Sequence, residues 1–562
     1  MIEFIAQNMA PIMFFSLIFF LLVGYPVAFA LAANGLLFFV IGVELAPYSN
    51  NSINLSWPLL NAMPERFWGV LSNETLLAIP FFTFMGIVLE RSGMAEDLLD
   101  TIGQLFGPVR GGLAYAVIIV GALLAATTGV VAASVIAMGL ISLPIMLRYG
   151  YDRRLASGVI AASGTLAQII PPSLVLIVLA DQLGRSVGDM YRGAMFPGLV
   201  LTGLYLGYVM LMSIFRPKSM PALPKEARTL GAGVISLVVL LALAGVVFYF
   251  GRQWLYDGYG KNAGILAAAI AVLVIYVLAI IDKGLKINLM SRLAQQVIIV
   301  LIPPLALIFL VLGTIFLGIA TPTEGGAMGA VGALVLAGAK RRLSFEVIRS
   351  ALASTTRLAS FVMFILLGAR VFSLTFYGVN GHIWVEHLLT SLPGGETGFL
   401  IVISIMVFLL AFFLDFFELA FIIVPLLAPA AERMGIDLIW FGIILGVNMQ
   451  TSFMHPPFGF ALFYLRSVAA RVPYIDKVTG ITMAPVKTSH IYWGAVPFVF
   501  IQVMMIAIVI SFPGLVMHYK GPAIDPSKVT LTLPDMPGLG GGLGGLGGLG
   551  GLPPFGAPAP SN

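Results

Sequence analysis

The segment that decides the fold reads AASGTLAQIIPP and occupies residues 161–172. It places small polar residues and two prolines inside an otherwise apolar stretch. A second segment, GVNMQTSFMHPP at 446–457, lies 285 positions further along the chain. The same offset pairs four more residues of identical type: Pro144 with Pro429, Arg148 with Arg433, Gly150 with Gly435 and Asp152 with Asp437. The chain is therefore a duplication with a polar, broken helix in each half.

The composition is that of a membrane protein. Of the 562 residues, 59% are hydrophobic and only 10% are charged, whereas soluble domains carry about 25% charged residues. Apolar runs of about 20 residues recur, each long enough to cross a hydrocarbon core. No strand-like alternation accompanies them, so the sequence predicts an all-α polytopic membrane protein. Because the chain has no cysteine, disulfides, thiolate metal sites and cysteine nucleophiles are excluded.

The duplication divides the chain into five parts. Pro11 to Leu22 lacks the features of a cleaved signal, so we interpret it as a retained first span. A Gly-Leu tail ends the chain and is interpreted as disordered. The predicted parts are a first repeat at 1–181, connecting spans at 182–297 with an extra pair at 231–281, a second repeat at 298–466, a loop and last span at 467–513, and the tail at 514–562.

Four segments carry signs of broken or re-entrant helices. Residues 76–95 are interrupted by Pro80 and Gly86, and both a hairpin and a short full span remain open there. Residues 355–379 form the second candidate hairpin. The runs 111–147 and 397–431 are too long for one straight span. Breaks are predicted near Gly129 and near Asp415.

The positively charged loops indicate which side of the membrane is cytoplasmic. If the two candidate hairpins do not cross the membrane, four basic loops share one side, which is then the cytoplasm. These loops are 148–154, 216–228, 283–292 and 340–349. The same count inverts the second repeat relative to the first, and inverted repeats with broken helices are typical of transporters.

Unwound backbone inside a membrane is tolerated where it lines a cavity or binds something. Carbonyl oxygens with Ser, Thr and Asn oxygens suit a small hard cation such as sodium, although such residues also join helices by hydrogen bonds. Because they recur in both repeats, we interpret them as sodium-binding candidates. The candidates are Thr127, Thr128, Gly129, Ser163, Gly164 and Thr165 in the first repeat, and Asp415, Glu418, Asn448, Gln450, Thr451 and Ser452 in the second.

The other charged or titratable residues have two interpretations each. Asp415 and Glu418 are one turn apart and would face a common cavity. Arg370 could bind an anionic substrate, or pair with one of those acids, or lie at the interface. Glu324 follows Pro322 and is expected to be a structural partner near a break. His455 has no histidine near it and is expected to be packed or pore-lining.

Two other functional classes are disfavoured. An intramembrane enzyme would need a motif such as HExxH or GxGD, and neither is present. A channel would need rings of like charge or a repeated filter sequence, which are also missing.

Three motifs resemble the large membrane subunit of TRAP (tripartite ATP-independent periplasmic) transporters. They are GIATPTE at 318–324, ASGT at 162–165 with IPP at 170–172, and QTS at 450–452 with PPFG at 456–459. The resemblance covers roughly 9–513 and is strongest to the mannitol or chloroaromatic subgroup. The extra pair at 231–281 and the tail lie outside the usual core.

The resemblance implies a sodium-driven, elevator-type secondary transporter in a bacterial inner membrane, without cofactors. It also implies a small membrane partner subunit and a periplasmic binding protein that delivers an organic acid. The moving domain would comprise 76–181 and 355–466, with the substrate carboxylate between the sodium sites. Substrate-binding candidates are Gln168, Pro171, Arg370 and Pro456. The alternative is an organic anion carrier that is proton-coupled or independent of a binding protein.

Overall fold

A computed structural model describes residues 2–128, 131–231, 233–260, 263–412, 414–455, 459–476 and 478–520, without the side chains of 126–128 and 259. Within these residues the protein is helical apart from one two-stranded β-hairpin. Eight helices are long and apolar enough to cross a membrane, and two bent helix pairs pass the same test when each pair is joined. The predicted all-α polytopic membrane architecture is confirmed.

The first half contains eleven helices. Their order is α1 Ile2–Gln7, α2 Met9–Val23, α3 Val27–Leu45, α4 Met63–Leu71, α5 Ala78–Arg91, α6 Met94–Phe106, α7 Gly112–Thr128, α8 Val131–Arg148, α9 Arg153–Thr165, α10 Leu174–Gln182 and α11 Val187–Phe215. Helices α9 and α10 are the two parts of the broken helix predicted around the double proline.

The second half follows an inserted pair of long helices, α12 Val234–Tyr259 and α13 Ala263–Leu285. Its helices are α14 Arg292–Phe316, α15 Pro322–Ala339, α16 Phe345–Gly378, α17 Gly381–Thr390, α18 Gly395–Leu410, α19 Phe416–Glu418, α20 Val424–Arg433, α21 Leu438–Gln450, α22 Phe460–Val468, α23 Thr488–Ser511 and α24 Gly514–Met517. Strands β1 Tyr474–Ile475 and β2 Thr482–Met483 pair antiparallel between α22 and α23. A π-helical turn, Leu419–Ile423, joins α19 to α20.

The first re-entrant hairpin is α7 with α8, not 76–95. The backbone N–H of Leu113, at the start of α7, donates to Tyr151 Oη just beyond α8 at 3.2 Å. The chain therefore returns to the level at which it entered, and the two helices pack on each other. Helix α7 ends at Thr128 and α8 begins at Val131, so the predicted break near Gly129 lies outside the described residues. Residues 76–95 instead contain the continuous helix α5, in which Pro80 occupies the first turn, where proline is tolerated.

The second hairpin runs from α18 to α20. Of the two alternatives for 355–379, a hairpin or a full span, the structure contradicts the hairpin. That segment belongs to the 34-residue helix α16. Gly368 does not break it; a Cβ there would overlap the backbone carbonyl oxygen of Ala28. The glycine thus serves close packing between helices. At the mouth of the true hairpin, Arg433 at the end of α20 pairs with Glu386 on α17, which precedes α18.

The duplication predicted from the 285-residue offset is visible in local backbone geometry. Asp152 caps α9 by accepting from the N–H groups of Arg154 and Leu155, and Asp437 caps α21 in the same way. Gly150 and Gly435, two residues earlier, have φ of 84° and 78°. These positive φ values favour glycine at both positions.

The two repeats run in opposite directions. Arg185 follows the end of the first broken helix and pairs with Glu432, just before the second broken helix begins, at 3.0 Å. The basic loops meet on one face, since the N–H of Asp152 donates to Ser219 O at 3.0 Å, and Lys340 and Arg342 both pair with Asp97. By the positive-inside rule this face is cytoplasmic.

The repeats are also interlocked. Helix α3 of the first repeat packs along α16 of the second, and α15 of the second packs along α5 of the first. Thr375 on α16 donates to the carbonyl oxygen of Gly35 on α3 at 2.8 Å. Thr323 on α15 donates to the carbonyl oxygen of Glu74, ahead of α5, at 2.6 Å. Each repeat therefore supplies one partner of both contacts.

Candidate functional site

The two broken helices meet at equivalent residues. Gln450 Nε2 donates to Thr165 Oγ1 at 3.1 Å, and the two residues are 285 positions apart. Both side chains are fully buried. A contact between residues related by the repeat offset places the local two-fold axis between them.

In the first repeat, α9 ends at Thr165 and a 3₁₀ turn, Leu166–Gln168, follows. Ser163 Oγ and Thr165 Oγ1 each donate to a carbonyl oxygen of the preceding turn at 2.9 Å. Thr165 Oγ1 in turn accepts from Gln450 Nε2, whereas the lone pairs of Ser163 Oγ remain able to accept a hydrogen bond or to bind a cation. The chain then passes Pro171 and restarts as α10, whose N-cap residue Ser173 donates to Gln168 O at 2.5 Å.

In the second repeat, α21 ends at Gln450 and a 3₁₀ turn, Thr451–Phe453, follows. Thr451 Oγ1 donates to Asn448 O at 2.7 Å and Ser452 Oγ donates to Met449 O at 2.6 Å. Each hydroxyl again donates to the carbonyl oxygen three residues earlier, but Thr451 and Ser452 correspond to Leu166 and Ala167, so the hydroxyls stand at different positions in the two breaks. The predicted substrate-binding candidate Pro456 lies outside the described residues.

Each unwound segment packs against the hairpin of its own repeat. Asn448 Nδ2 donates to the carbonyl oxygen of Ser404 on α18 at 2.7 Å. Ser163, the equivalent of Asn448, packs so closely on α7 that a Cβ at Gly121 would meet it. Gly164 packs in the same way on Val135 of α8. The hairpins thus close the space beside both unwound segments.

Several buried polar atoms at this meeting point form no hydrogen bond with the described residues, although buried polar groups are nearly always paired. The unpaired atoms are Asn448 Oδ1, Gln450 Oε1, Ser404 Oγ, Gln502 Oε1, and both amide atoms of Gln168. Most of them are oxygens. Such a set fits a hard cation, which is bound by carbonyl, amide and hydroxyl oxygens.

Three residues of this cluster were not predicted from the sequence. Gln502 on α23 donates from Nε2 to Tyr205 Oη on α11 at 3.0 Å, and more weakly to Thr165 Oγ1 at 3.4 Å. The third residue is Ser404 on α18, whose carbonyl oxygen accepts from Asn448 Nδ2. A signal was available for Gln502, because it is a single amide inside the apolar span 488–511.

His455 lies directly after the second 3₁₀ turn and is 4% exposed. Its ring stacks on Phe412 at a centroid distance of 4.0 Å and meets Phe408 edge-on at 4.9 Å. Neither ring nitrogen forms a side-chain hydrogen bond with the described residues. Of the two expectations, packed or pore-lining, the ring contacts favour packing, against the end of helix α18 in the second hairpin.

Asp415 and Glu418 cap each other at the tip of the second hairpin. The N–H of Asp415 donates to Glu418 Oε2 at 2.9 Å, and the N–H of Glu418 donates to Asp415 Oδ1 at 2.8 Å. One oxygen of each carboxylate is therefore used to begin α19. In the same manner Glu324 accepts from the N–H of Thr321 at 2.7 Å, which confirms its structural role.

The remaining candidate residues lie away from this meeting point or next to residues that the structure does not describe. Arg370 is exposed on α16 and forms no ion pair with a described residue. Thr127 and Thr128 end α7, next to the undescribed Gly129. No group of three or more His, Asp or Glu side chains within the described residues could hold a metal ion.

Known proteins resemble this chain over most of its length. It is 29% identical to the C4-dicarboxylate TRAP transporter large permease protein DctM of Pseudomonas aeruginosa, covering 73% of this chain and 81% of that one. It is 23% identical to the ectoine TRAP transporter large permease protein TeaC of Halomonas elongata, covering 91% and 99%. The isethionate TRAP transporter permease protein DctMQ of Oleidesulfovibrio alaskensis is 24% identical over 83% of this chain and 62% of its own length.

Among solved structures, the YdaH transporter of Alcanivorax borkumensis is similar with a TM-score of 0.49 and 13% identity, covering 86% of this chain and 98% of that one. The sequence profile described as the tripartite ATP-independent periplasmic transporter, DctM component, matches residues 14–515. Together with the broken, inverted repeats, this match shows that the chain is a multi-pass inner-membrane transport protein, not an enzyme, and belongs to the DctM family of TRAP transporters.

Proposed function

We propose that the protein is the large permease subunit of a sodium-coupled, binding-protein-dependent secondary transporter that imports a small organic acid. The observation that carries the proposal is the meeting of two inverted, unwound helices at Thr165 and Gln450, surrounded by buried oxygens that form no hydrogen bond with the described residues. Such segments are where secondary transporters hold substrate and coupling ions.

Sodium coupling is supported by the donor set. Asn448 Oδ1, Gln450 Oε1 and the backbone carbonyls freed at each 3₁₀ turn are neutral oxygens, the ligands that suit a small hard cation in a membrane. We place one sodium site at each break, next to the hairpin that covers it. The carboxylate oxygens of Asp415 and Glu418 that are not used in capping would lie at the tip of the second hairpin.

An organic acid is supported by the names of the relatives, which mention C4-dicarboxylate, isethionate and ectoine. Among the candidates for contacting it, Gln168 fits best, since its amide has two donors and a free oxygen, all buried. Pro171 lies beside it, whereas Arg370 would have to be brought to the site. The mannitol or chloroaromatic subgroup stays a prediction.

The transport step would be an elevator movement of the two hairpins with their broken helices, residues 112–182 and 395–468. This block is smaller than the one expected from sequence, because α5 and α16 pack on α15 and α3 and so belong with the scaffold. A small membrane subunit and a periplasmic binding protein would complete the system. The isethionate relative is named as a single DctMQ permease.

The test is uptake of a radiolabelled organic-acid panel into proteoliposomes under an imposed sodium gradient, with the small subunit and binding protein present or omitted. We expect uptake to need the gradient and the binding protein. The double variant Thr165→Ala with Asn448→Ala should lower sodium-dependent uptake by at least tenfold, while Ser213→Ala, on an outward face of α11, should not. Unchanged uptake in the double variant would refute the site; uptake driven by pH alone would favour the proton-coupled carrier.

The two roles of Asp415 can be separated in the same assay. Asn is as good an N-cap as Asp, whereas Ala costs about 1 kcal/mol at a cap. We expect Asp415→Asn to keep the wild-type thermal stability but to raise the sodium concentration for half-maximal uptake several-fold. Asp415→Ala should show both defects. If Asn matches wild type in sodium dependence, the carboxylate serves only as a cap.

A further inference from the structure

The inserted helices α12 and α13 are fixed to the second repeat. Helix α13 packs on α12 and on α14. At the cytoplasmic end Ser291, the N-cap residue of α14, donates from Oγ to Gly233 O and from its N–H to Ser236 Oγ, both at 3.2 Å. The pair therefore forms a wall beside α14 and α15.

Between this wall and the second repeat lies a cleft of about 420 Å³. Three helices contribute to it, and its lining is Tyr276, Ile280, Lys283 and Gly284 from α13, Ile299 and Pro303 from α14, and Leu336, Ala339 and Lys340 at the end of α15. Most of these side chains are apolar, and the two charged ones are both lysines. None of the candidate transport residues belongs to it.

The lysines mark one end of the cleft. Lys283 and Lys340 lie at the cytoplasmic ends of α13 and α15. Pro303 is eleven residues inside α14, so at 1.5 Å per residue the cleft extends about 16 Å into the membrane. Its inner part is bounded by Tyr276, Ile299 and Pro303. The cleft is charged at its opening and apolar inside, which matches a lipid molecule with a charged headgroup and apolar chains.

The charge at the mouth is not neutralised. Lys283 has no ion pair among the described residues, and its neighbour Asp282 is buried and accepts from the N–H of Leu289 at 2.8 Å and from Gln295 at 3.2 Å. Lys340 shares the single carboxylate of Asp97 with Arg342. Three cations, Lys283, Lys340 and Arg342, thus stand against the two carboxylates of Asp97 and Asp282, and one net positive charge remains at the mouth.

We propose that this cleft binds one anionic diacyl phospholipid of the cytoplasmic leaflet, with the headgroup phosphate between Lys283 and Lys340 and an acyl chain along Ile280, Ile299 and Pro303. Basic pockets between membrane helices on the cytoplasmic side recognise such headgroups. The lipid would fill the seam between the inserted pair and the second repeat. The proposal is independent of sodium coupling and of the transported acid.

The test is native mass spectrometry of the full-length protein titrated with phosphatidylglycerol or with phosphatidylcholine. We expect one phosphatidylglycerol per chain to bind preferentially. Because a lysine near the surface contributes about 1 kcal/mol to anionic lipid binding, Lys283→Gln should weaken binding about fivefold. Lys218→Gln removes the same charge from the same face outside the cleft and should have no effect.

A second variant tests the acyl-chain groove without changing charge. Ala339 lines the cleft and is exposed, so Ala339→Phe should fill the groove and reduce phosphatidylglycerol binding while the thermal unfolding temperature stays near wild type. Wild-type lipid binding in both Lys283→Gln and Ala339→Phe would overturn the proposal. Displacement of the lipid by inorganic phosphate at equal concentration would also overturn it, since the site would then recognise phosphate alone.

Discussion

The two repeats share a backbone but differ in the side chains at their centre. Both broken helices begin at a capping aspartate, Asp152 or Asp437, and both unwind into a 3₁₀ turn. Ser163, which contacts its hairpin by packing, corresponds to Asn448, which contacts it by a hydrogen bond. Residues that fix the backbone path have been kept, whereas those that face the ligand space differ.

The outer ends differ as well. Arg148, at the end of the first hairpin, pairs with Asp476 in the β-hairpin loop at 2.8 Å. Its equivalent Arg433 pairs with Glu386 on the arm helix α17. The first hairpin is thus tied to the chain that follows the second broken helix, and the second hairpin is tied to its own repeat. The outer ends of the two hairpins are therefore held by different parts of the chain.

The largest effect is expected in the first broken helix, at a position that packs against another helix without room for a side chain. Gly158 on α9 lies against Gly494 on α23, and a Cβ there would overlap the Gly494 carbonyl oxygen, whereas its equivalent on α21 is Ile443, which has a side chain. Gly158→Ala should destabilise the protein by about 1 to 3 kcal/mol and lower its unfolding temperature in detergent.

The control is Gly203→Ala on α11, where a Cβ meets nothing within 4 Å. Ala is favoured over Gly in a helix, so this variant should be as stable as wild type or slightly more stable. Equal unfolding temperatures for the two variants would show that the close approach of α9 and α23 is wrong.

An effect of intermediate size is expected at His455, whose equivalent in the first repeat is an apolar residue. Ile170 is the equivalent of His455, so His455→Ile makes the two breaks alike. Because neither ring nitrogen is hydrogen-bonded to a described residue, the unfolding temperature should not fall, while uptake should drop about tenfold if the imidazole contacts substrate. Uptake at the wild-type rate would assign His455 to packing alone; Ile170→Val is the control.

The fold could be predicted further than the site. The 285-residue offset located both broken helices, and the conserved capping pattern followed from it. The two candidate hairpins were misplaced: Pro80 lies in the first turn of α5, where proline is tolerated, and Gly368 allows close packing within the continuous helix α16. Gln502 was signalled only as a single amide in an apolar span, and its contact with Tyr205 and Thr165 could not be predicted, because the two helices α11 and α23 meet only in the folded protein.

The smallest effect is expected at the outer ion pair. The guanidinium of Arg148, with Thr479, holds the pKa of the Asp476 carboxyl well below its usual value of about 4. Asp476→Asn should lower the unfolding temperature by no more than about 2 °C at pH 7. A depressed pKa gives stability that is complete above the unfolded pKa and is lost as the pH falls through the folded one.

The difference between wild type and Asp476→Asn should therefore stay constant from pH 8 to about 5 and shrink below about 4. Unfolding curves at several pH values measure it directly. A difference that grew on acidification would contradict the ion pair. Arg433→Gln, which breaks the equivalent but more exposed pair, should change the unfolding temperature less.

The packing of helices from one repeat on helices of the other also affects how the protein folds during its synthesis. Gly35 emerges from the ribosome 337 residues before Phe372, whose backbone it contacts. At synthesis rates of about 5–20 residues per second, α3 must wait about 20 to 70 seconds in the membrane for α16. During that time the surface of α3 around Gly35 lacks its partner in the folded protein. Premature termination before residue 345 should therefore leave a first half that quality-control proteases recognise and degrade.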